Sequence, residues 1–161
     1  MISIIPALDI MKAVTDSNIT SDDSNYRRIA FDKATELMSE TNAYVLLEGN
    51  LYTKLCERLN EDHKSFFQSV YKIDNSAKDV PSYNITKSVI WIAKSEDKIR
   101  DVIILTDDKP NYEKQYLENE TICVCNSKEF LAKVELARHY HRTKRFTSLD
   151  DALIAIFFVK H

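Results

Sequence analysis

The sequence predicts a three-layer α/β/α protein whose mostly parallel sheet of four or five strands carries helices on both faces. Three observations support this. Val102, Ile103, Ile104 and Leu105 form an apolar run with no internal charge that stops at Thr106-Asp107-Asp108. A run like this is expected of a strand buried on both faces, the usual situation in a parallel sheet. Further short apolar segments at 2–8, 43–47 and 121–125 alternate with stretches of helical spacing, the cadence of strand–helix–strand units. The chain of 161 residues contains no repeat, low-complexity tract or evident linker, so 1–161 reads as one domain with 136–161 as a C-terminal extension packed on it.

Taken in order, residues 2–8 read as a first strand, broken by Pro6 and closing on Asp9. Residues 16–25 are polar and turn-prone and offer several caps for the helix that follows. In that helix Tyr26, Ile29, Ala30, Ala34, Leu37 and Met38 keep one apolar face. Residues 43–47 read as the next strand, ended by Glu48-Gly49. Leu51, Leu55 and Leu59 make the stripe of another helix, and Phe66, Val70 and Ile73 continue in helical phase. A polar loop at 74–82 precedes a helix carrying Ile85, Val89, Ile92 and Ala93, which leads into the central strand. Pro110 is suited to open a short helix running to Glu118. A strand at 121–125 follows, then a helix marked by Phe130, Leu131, Val134 and Ala137. From Ser148 to Phe158 a capped helix is expected, with its last residues equally compatible with a strand.

Composition narrows the function classes. At 44% hydrophobic, 29% charged and a formal net charge of -3, the chain has no global bias toward nucleic acid, so such binding would need a local basic patch. A single glycine, Gly49, excludes the glycine-rich phosphate loops, which need several. Cys56, Cys123 and Cys125 are odd in number and lack zinc-site spacing, so they read as small buried hydrophobes of a reduced compartment. No segment has the character of a signal peptide or membrane span, which gives the expectation of a cytoplasmic protein without a membrane partner.

The chemistry-bearing residues are the acids at strand ends: Asp9, Asp107, Asp108 and Glu48. Ligands of open α/β sheets bind beyond the carboxyl ends of the strands. Carboxylates gathered there repel one another unless a cation sits among them, and an all-oxygen set suits Mg²⁺ or Mn²⁺. Such ions can activate water for phosphodiester cleavage. The other reading is that Asp9 and Asp107 cap the helices following their strands. The run Arg138, His139, His141, Arg142, Lys144, Arg145 offers phosphate contacts, with Tyr140 available to stack on a base, or else forms a solvated helix end favoured by the helix dipole.

The stretch Leu105-Thr106-Asp107-Asp108, followed by Asn126-Ser127-Lys128-Glu129-Phe130-Leu131, resembles the closing motifs of the PIN-domain family. That family includes the toxin nucleases of toxin–antitoxin pairs and RNA-processing nucleases. Ala7-Leu8-Asp9-Ile10-Met11 is similar to its opening strand, and the likeness covers most of residues 1–135. The resemblance implies a PIN-like ribonuclease using Mg²⁺ or Mn²⁺, with Asp9, Asp107 and Asp108 catalytic and Asp9, Asp108 and Glu48 at the metal. Arg138, Arg142, Lys144 and Arg145 would then contact RNA. It also implies an antitoxin or other protein partner and a homodimer. Two departures stand against catalysis. The family's second acid falls on Lys54-Leu55, and its third falls among Ser82, Asn84 and Thr86, so a catalytically degenerate protein- or RNA-binding module is the alternative. Leu149-Asp150-Asp151-Ala152 looks like the missing third motif displaced along the chain, or else a plain capped helix. A further alternative is a Toprim-like nuclease domain, to whose strand Val45-Leu46-Leu47-Glu48-Gly49 is similar, with Lys109 where that family wants a second aspartate.

Overall fold

A computed structural model describes residues 2–15, 21–48, 71–73, 101–116 and 121–158. Its elements are β1 (Ile2–Pro6), α1 (Leu8–Thr15), α2 (Asp22–Glu40), β2 (Tyr44–Glu48), β3 (Tyr71–Ile73), β4 (Asp101–Leu105), α3 (Lys109–Tyr116), β5 (Ile122–Cys125), α4 (Ser127–Arg142) and α5 (Leu149–Phe158). The strands are all parallel, in the order β3-β2-β1-β4-β5. The body of the sheet is β2-β1-β4-β5, and the three-residue β3 adds to the free edge of β2.

This order fixes where a ligand site would lie. From β1 the chain moves outward to β2, whereas from β4 it moves the opposite way to β5, so the connections diverge at the β1–β4 boundary. Right-handed crossovers then put α1 and α2 on one face and α3 on the other. The crevice at this switch point, beyond the strands' carboxyl ends, is the general ligand position of such sheets.

Pleating sorts the side chains into two faces. Ile2, Ile4, Val45, Leu47, Ile103, Leu105 and Cys125 join Ile10 and Met11 of α1, Phe31 and Leu37 of α2, Phe130 and Val134 of α4, and Leu153 and Phe157 of α5 in one core cluster. On the opposite face Ser3, Ile5, Leu46, Val102 and Ile104 are buried as well, which is why the central strands carry apolar residues at consecutive positions. Pro6 is tolerated in a central strand because it comes last: Ser3 and Ile4 have partners in β2, and Pro6 pairs only with Leu105 of β4.

The helix ends follow local chemistry. Ser21 caps α2 through its side chain to the Ser24 N–H, and Asn126 caps α4 by accepting from the Glu129 N–H at 2.8 Å. Glu129 returns a bond to the Asn126 amide at 2.8 Å, a variant of the capping box. At the far end of α4, Arg145 N–H donates to the Tyr140 carbonyl and Lys144 N–H to that of His141, the two bonds of a Schellman motif. Lys144 sits in its left-handed position with φ 62°, where glycine is the usual residue.

Several sequence expectations need correcting. Asp9 does not end the first strand: β1 stops at Pro6 and Asp9 lies in the first turn of α1, a helix that was not anticipated. Residues 71–73 form a strand rather than continuing a helix, since pairing of Tyr71, Lys72 and Ile73 with Leu46, Leu47 and Glu48 overrides the local phase. The 149–158 segment is helical throughout. The helices expected around Leu55 and Val89 and the loop at 74–82 lie outside the described residues. Among the described residues, no helix is long and apolar enough to cross a membrane.

Candidate functional site

The β1–β4 boundary brings two of the four strand-end acids together. Asp9, in the first turn of α1, accepts the Asp107 backbone N–H at 2.7 Å through Oδ2 and the Thr106 hydroxyl at 3.0 Å through Oδ1. Thr106 is fully buried and its Oγ1 also accepts the Asp108 N–H at 3.0 Å. Its single proton is therefore committed to Asp9, and the turn after β4 is pinned to the turn after β1.

The Asp107 side chain reaches two helices. Its Oδ1 accepts the Ser127 N–H at 2.8 Å, so the carboxylate sits at the N-terminus of α4, where the helix dipole favours an anion. Its Oδ2 is bound at 2.7 Å by Nε of Arg27, from the second turn of α2. A cleft of about 250 Å³ opens beside this pair, lined by Asp23, Tyr26, Arg27, Asp107, Asn126, Ser127 and Lys128. Lys128 Nζ lies 4.8 Å from the centroid of the Tyr26 ring, closing one side with a cation on an aromatic face.

The two carboxyl groups are shifted in opposite directions. Burial pushes Asp9 above the ordinary carboxylate value, against the bonds from Asp107 N–H and Thr106. Burial also pushes Asp107 up, but the Ser127 N–H and the Arg27 guanidinium outweigh it and hold Asp107 below the usual range. A carboxylate lowered in the fold stabilises it above the unfolded value, near pH ~4, and loses that contribution as pH falls through its folded value. Asp9 has the opposite sign: its contribution is present at acid pH and is lost as pH rises through its folded value. Urea denaturation from pH 7 to 3 should therefore find Asp107→Asn less stable than the parent at neutral pH, with the gap closing on acidification. A gap that stays constant would show that the Asp107 charge does not stabilise the fold.

Asp108 lies apart from both. It is exposed, and both its oxygens accept from the Asn111 side-chain amide at 3.0 Å, within the first turns of α3. Glu48 ends β2, the neighbour of β1, but its side chain lies outside the described residues, as do Lys54, Ser82, Asn84 and Thr86. Asp150 accepts the Asn42 N–H at 3.0 Å, just before β2, which puts it at the amino edge of the sheet. It sits on the opposite rim from Asp9 and so does not join it.

The described residues at the switch point do not fit a divalent ion. Mg²⁺ or Mn²⁺ wants several oxygens converging on one point. Here the positive charge on Asp107 is the Arg27 guanidinium, and Asp9 is turned onto backbone and hydroxyl donors. Among the described residues no group of three or more His, Cys, Asp or Glu side chains could hold a metal ion.

The basic run lies elsewhere. α4 has 16 residues, about 24 Å at 1.5 Å per residue; Ser127 begins it at the cleft and Arg142 ends it at the far rim. Arg138 is turned inward onto Glu40 at 2.6 Å, with Glu36 at 3.8 Å, and ties the ends of α2 and α4 together. His139, His141, Arg142, Lys144 and Arg145 are exposed. Arg145 stacks over the Tyr140 ring at 4.8 Å, so the surface offered to a base is the guanidinium rather than the phenol.

Sequence reasoning missed Arg27, Thr106 and Ser127 as members of the site. Thr106 was legible as a hydroxyl between a buried strand and two acids, and Ser127 as the first residue after an Asn cap. Arg27 carried no signal, because its partner is 80 positions away. Comparison of the chain with models of known protein families, with characterised proteins and with solved structures gives no match.

Proposed function

We propose that the protein is a PIN-like RNA-binding module that does not cleave its ligand, its switch-point acids having become part of the scaffold. The observation that carries this reading is the 2.7 Å bond from Arg27 to Asp107. The counterion of Asp107 is thus a guanidinium and not a divalent cation, and displacing it would leave an unpaired charge. Lys54 and the uncharged Ser82, Asn84 and Thr86, at the positions of the family's remaining acids, argue the same way.

Support for RNA comes from the far end of α4. Arg142, Lys144 and Arg145 are exposed, and none makes a salt bridge among the described residues. Lys144 holds a backbone position that favours glycine, so a cation is kept there at a conformational cost. Unpaired cations beside an Arg–Tyr stack suit a phosphate backbone with unstacked bases, the form in which single-stranded RNA is bound.

The test is titration of a labelled single-stranded oligouridine against the protein at several salt concentrations, with and without Mn²⁺. The triple variant Arg142→Ala/Lys144→Ala/Arg145→Ala should reduce the slope of log affinity against log salt by about 2, which is about a hundredfold in affinity near ~0.1 M salt. The RNA should stay intact. An unchanged slope would remove the basic end of α4 from the interface. Cleavage that requires Mn²⁺ and is lost in Asp9→Asn would overturn the proposal in favour of a metal-dependent ribonuclease.

A further inference from the structure

Cys123 and Cys125 alternate on β5, the edge strand of the sheet, and so project from the same face. Their sulfurs lie 3.5 Å apart. Cys125 is fully buried in the core cluster, opposite Leu105, whereas Cys123 is only partly buried beside it, opposite Ile103. One cysteine is therefore partly open to solvent, and the other is closed off from it with its sulfur against the first. The surroundings differentiate them further. The hydrogen bond from Cys125 brings the Cys123 thiol down to about 7 against the opposing effect of burial, with Lys133 of α4 and Lys109 of α3 assisting and Glu129 of α4 opposing. The same hydrogen bond and burial push the Cys125 thiol up. A partly exposed, readily ionised thiol next to a buried protonated one is the arrangement of an attacking and a resolving cysteine.

We propose that Cys123 and Cys125 form a redox-active dithiol that exchanges with small disulfides, with Cys123 as the attacking thiol and Cys125 as the resolving one. In the first step the Cys123 thiolate attacks one sulfur of a small disulfide, forming a mixed disulfide and expelling the other half as a thiolate. In the second, Cys125 gives up its proton to that thiolate and its sulfur attacks Cys123 Sγ, expelling the remaining half. Counting the proton released when Cys123 ionises, which the last expelled thiolate takes up, the protein loses two electrons and two protons, and the disulfide becomes two thiols. The Cα atoms of residues two apart on a strand are about 6.6 Å apart, inside the range a disulfide spans. The Cβ atoms of a regular strand stand about as far apart and the bond needs them ~4 Å apart, so closure bends β5 locally as the sulfurs approach from 3.5 Å to bonding distance.

The reaction is placed where it would be felt. Residues 126 and 127, directly after Cys125, cap α4 and hold Asp107, and the Cys125 carbonyl accepts the Thr106 N–H at 2.9 Å. The proposal stands independently of RNA binding.

The experiment treats the full chain with oxidised glutathione, blocks remaining thiols with iodoacetamide and maps the cysteine peptides by mass spectrometry. The expected product is an internal Cys123–Cys125 bond, the peptide being lighter by two hydrogens, with Cys56 not part of it. Cys125→Ala should stop at a persistent glutathione adduct on Cys123. Cys123→Ser should leave Cys125 unmodified. In a Cys56→Ser background, the rate of Cys123 alkylation should rise through about pH 7. Full alkylation of both cysteines in the wild-type chain after excess oxidised glutathione would overturn the proposal, as would a bond from either of them to Cys56. The wild-type map decides even if a variant at the buried position fails to fold.

Discussion

Asp9→Ala is expected to lower the folding free energy by about 3 kcal/mol, and Asp9→Asn by about 1, as read from urea denaturation midpoints at pH 7. The alanine leaves two donors without an acceptor, the Asp107 N–H and the Thr106 hydroxyl. Thr106 is wholly buried, so no water replaces the lost oxygen there. Each stranded donor costs on the order of 1–3 kcal/mol, discounted here because the Asp9 site is not closed on every side. Asparagine keeps one carbonyl oxygen and loses a charge whose ionisation burial already disfavours. The pair of variants also separates scaffold from catalysis. In a metal site Asp9→Asn would be as harmful to function as Asp9→Ala, whereas a structural clamp tolerates the amide. Equal destabilisation by both variants would overturn the clamp.

Phe130→Ala should cost more, about 3–5 kcal/mol by the same measurement. Phe130 is fully buried in the cluster joining the sheet to α4 and α5, and its ring centroid lies 5.7 Å from that of Phe157. Truncation removes the transfer free energy of the ring and leaves a cavity that strands on one side and a helix on the other cannot easily fill. The loss should also reach the cleft, because Phe130 lies one turn beyond Ser127, whose N–H holds Asp107. A loss below about 1.5 kcal/mol would mean that α5 collapses onto the vacated space.

Together these variants probe the two ends of a single device. α2 and α4 run alongside each other, joined at their starts through Arg27, Asp107 and Ser127 and at their ends through Arg138 with Glu40. The clamp at the switch point thus sets the position of α4, and α4 carries the exposed cations some 24 Å away. The strand-end acids Asp9 and Asp107 and the late basic run are, in three dimensions, at opposite ends of this frame.

The alternation of strands and helices was legible because its cause is local. Strands covered on both faces must be apolar at consecutive positions, as Val102 to Leu105 are, and helices covered on one face keep a stripe, as Ala30, Ala34 and Leu37 do. The three-residue β3 was not legible, since a segment of that length is made a strand by its neighbour rather than by its own pattern.

By itself, the sequence determined a parallel α/β architecture with acids at strand ends and a basic run late in the chain. Only the tertiary structure decided that Asp9 binds Thr106 and the Asp107 backbone, that Asp107 takes Arg27 as its counterion, that Asp108 stands apart with Asn111, and that the basic run lies on the far rim. The physical reason is that apolar periodicity is set by solvent exposure along each element. The partner of a charge is set by strand order and helix direction, which bring residues 80 to 98 positions apart into contact with no mark in the residues between.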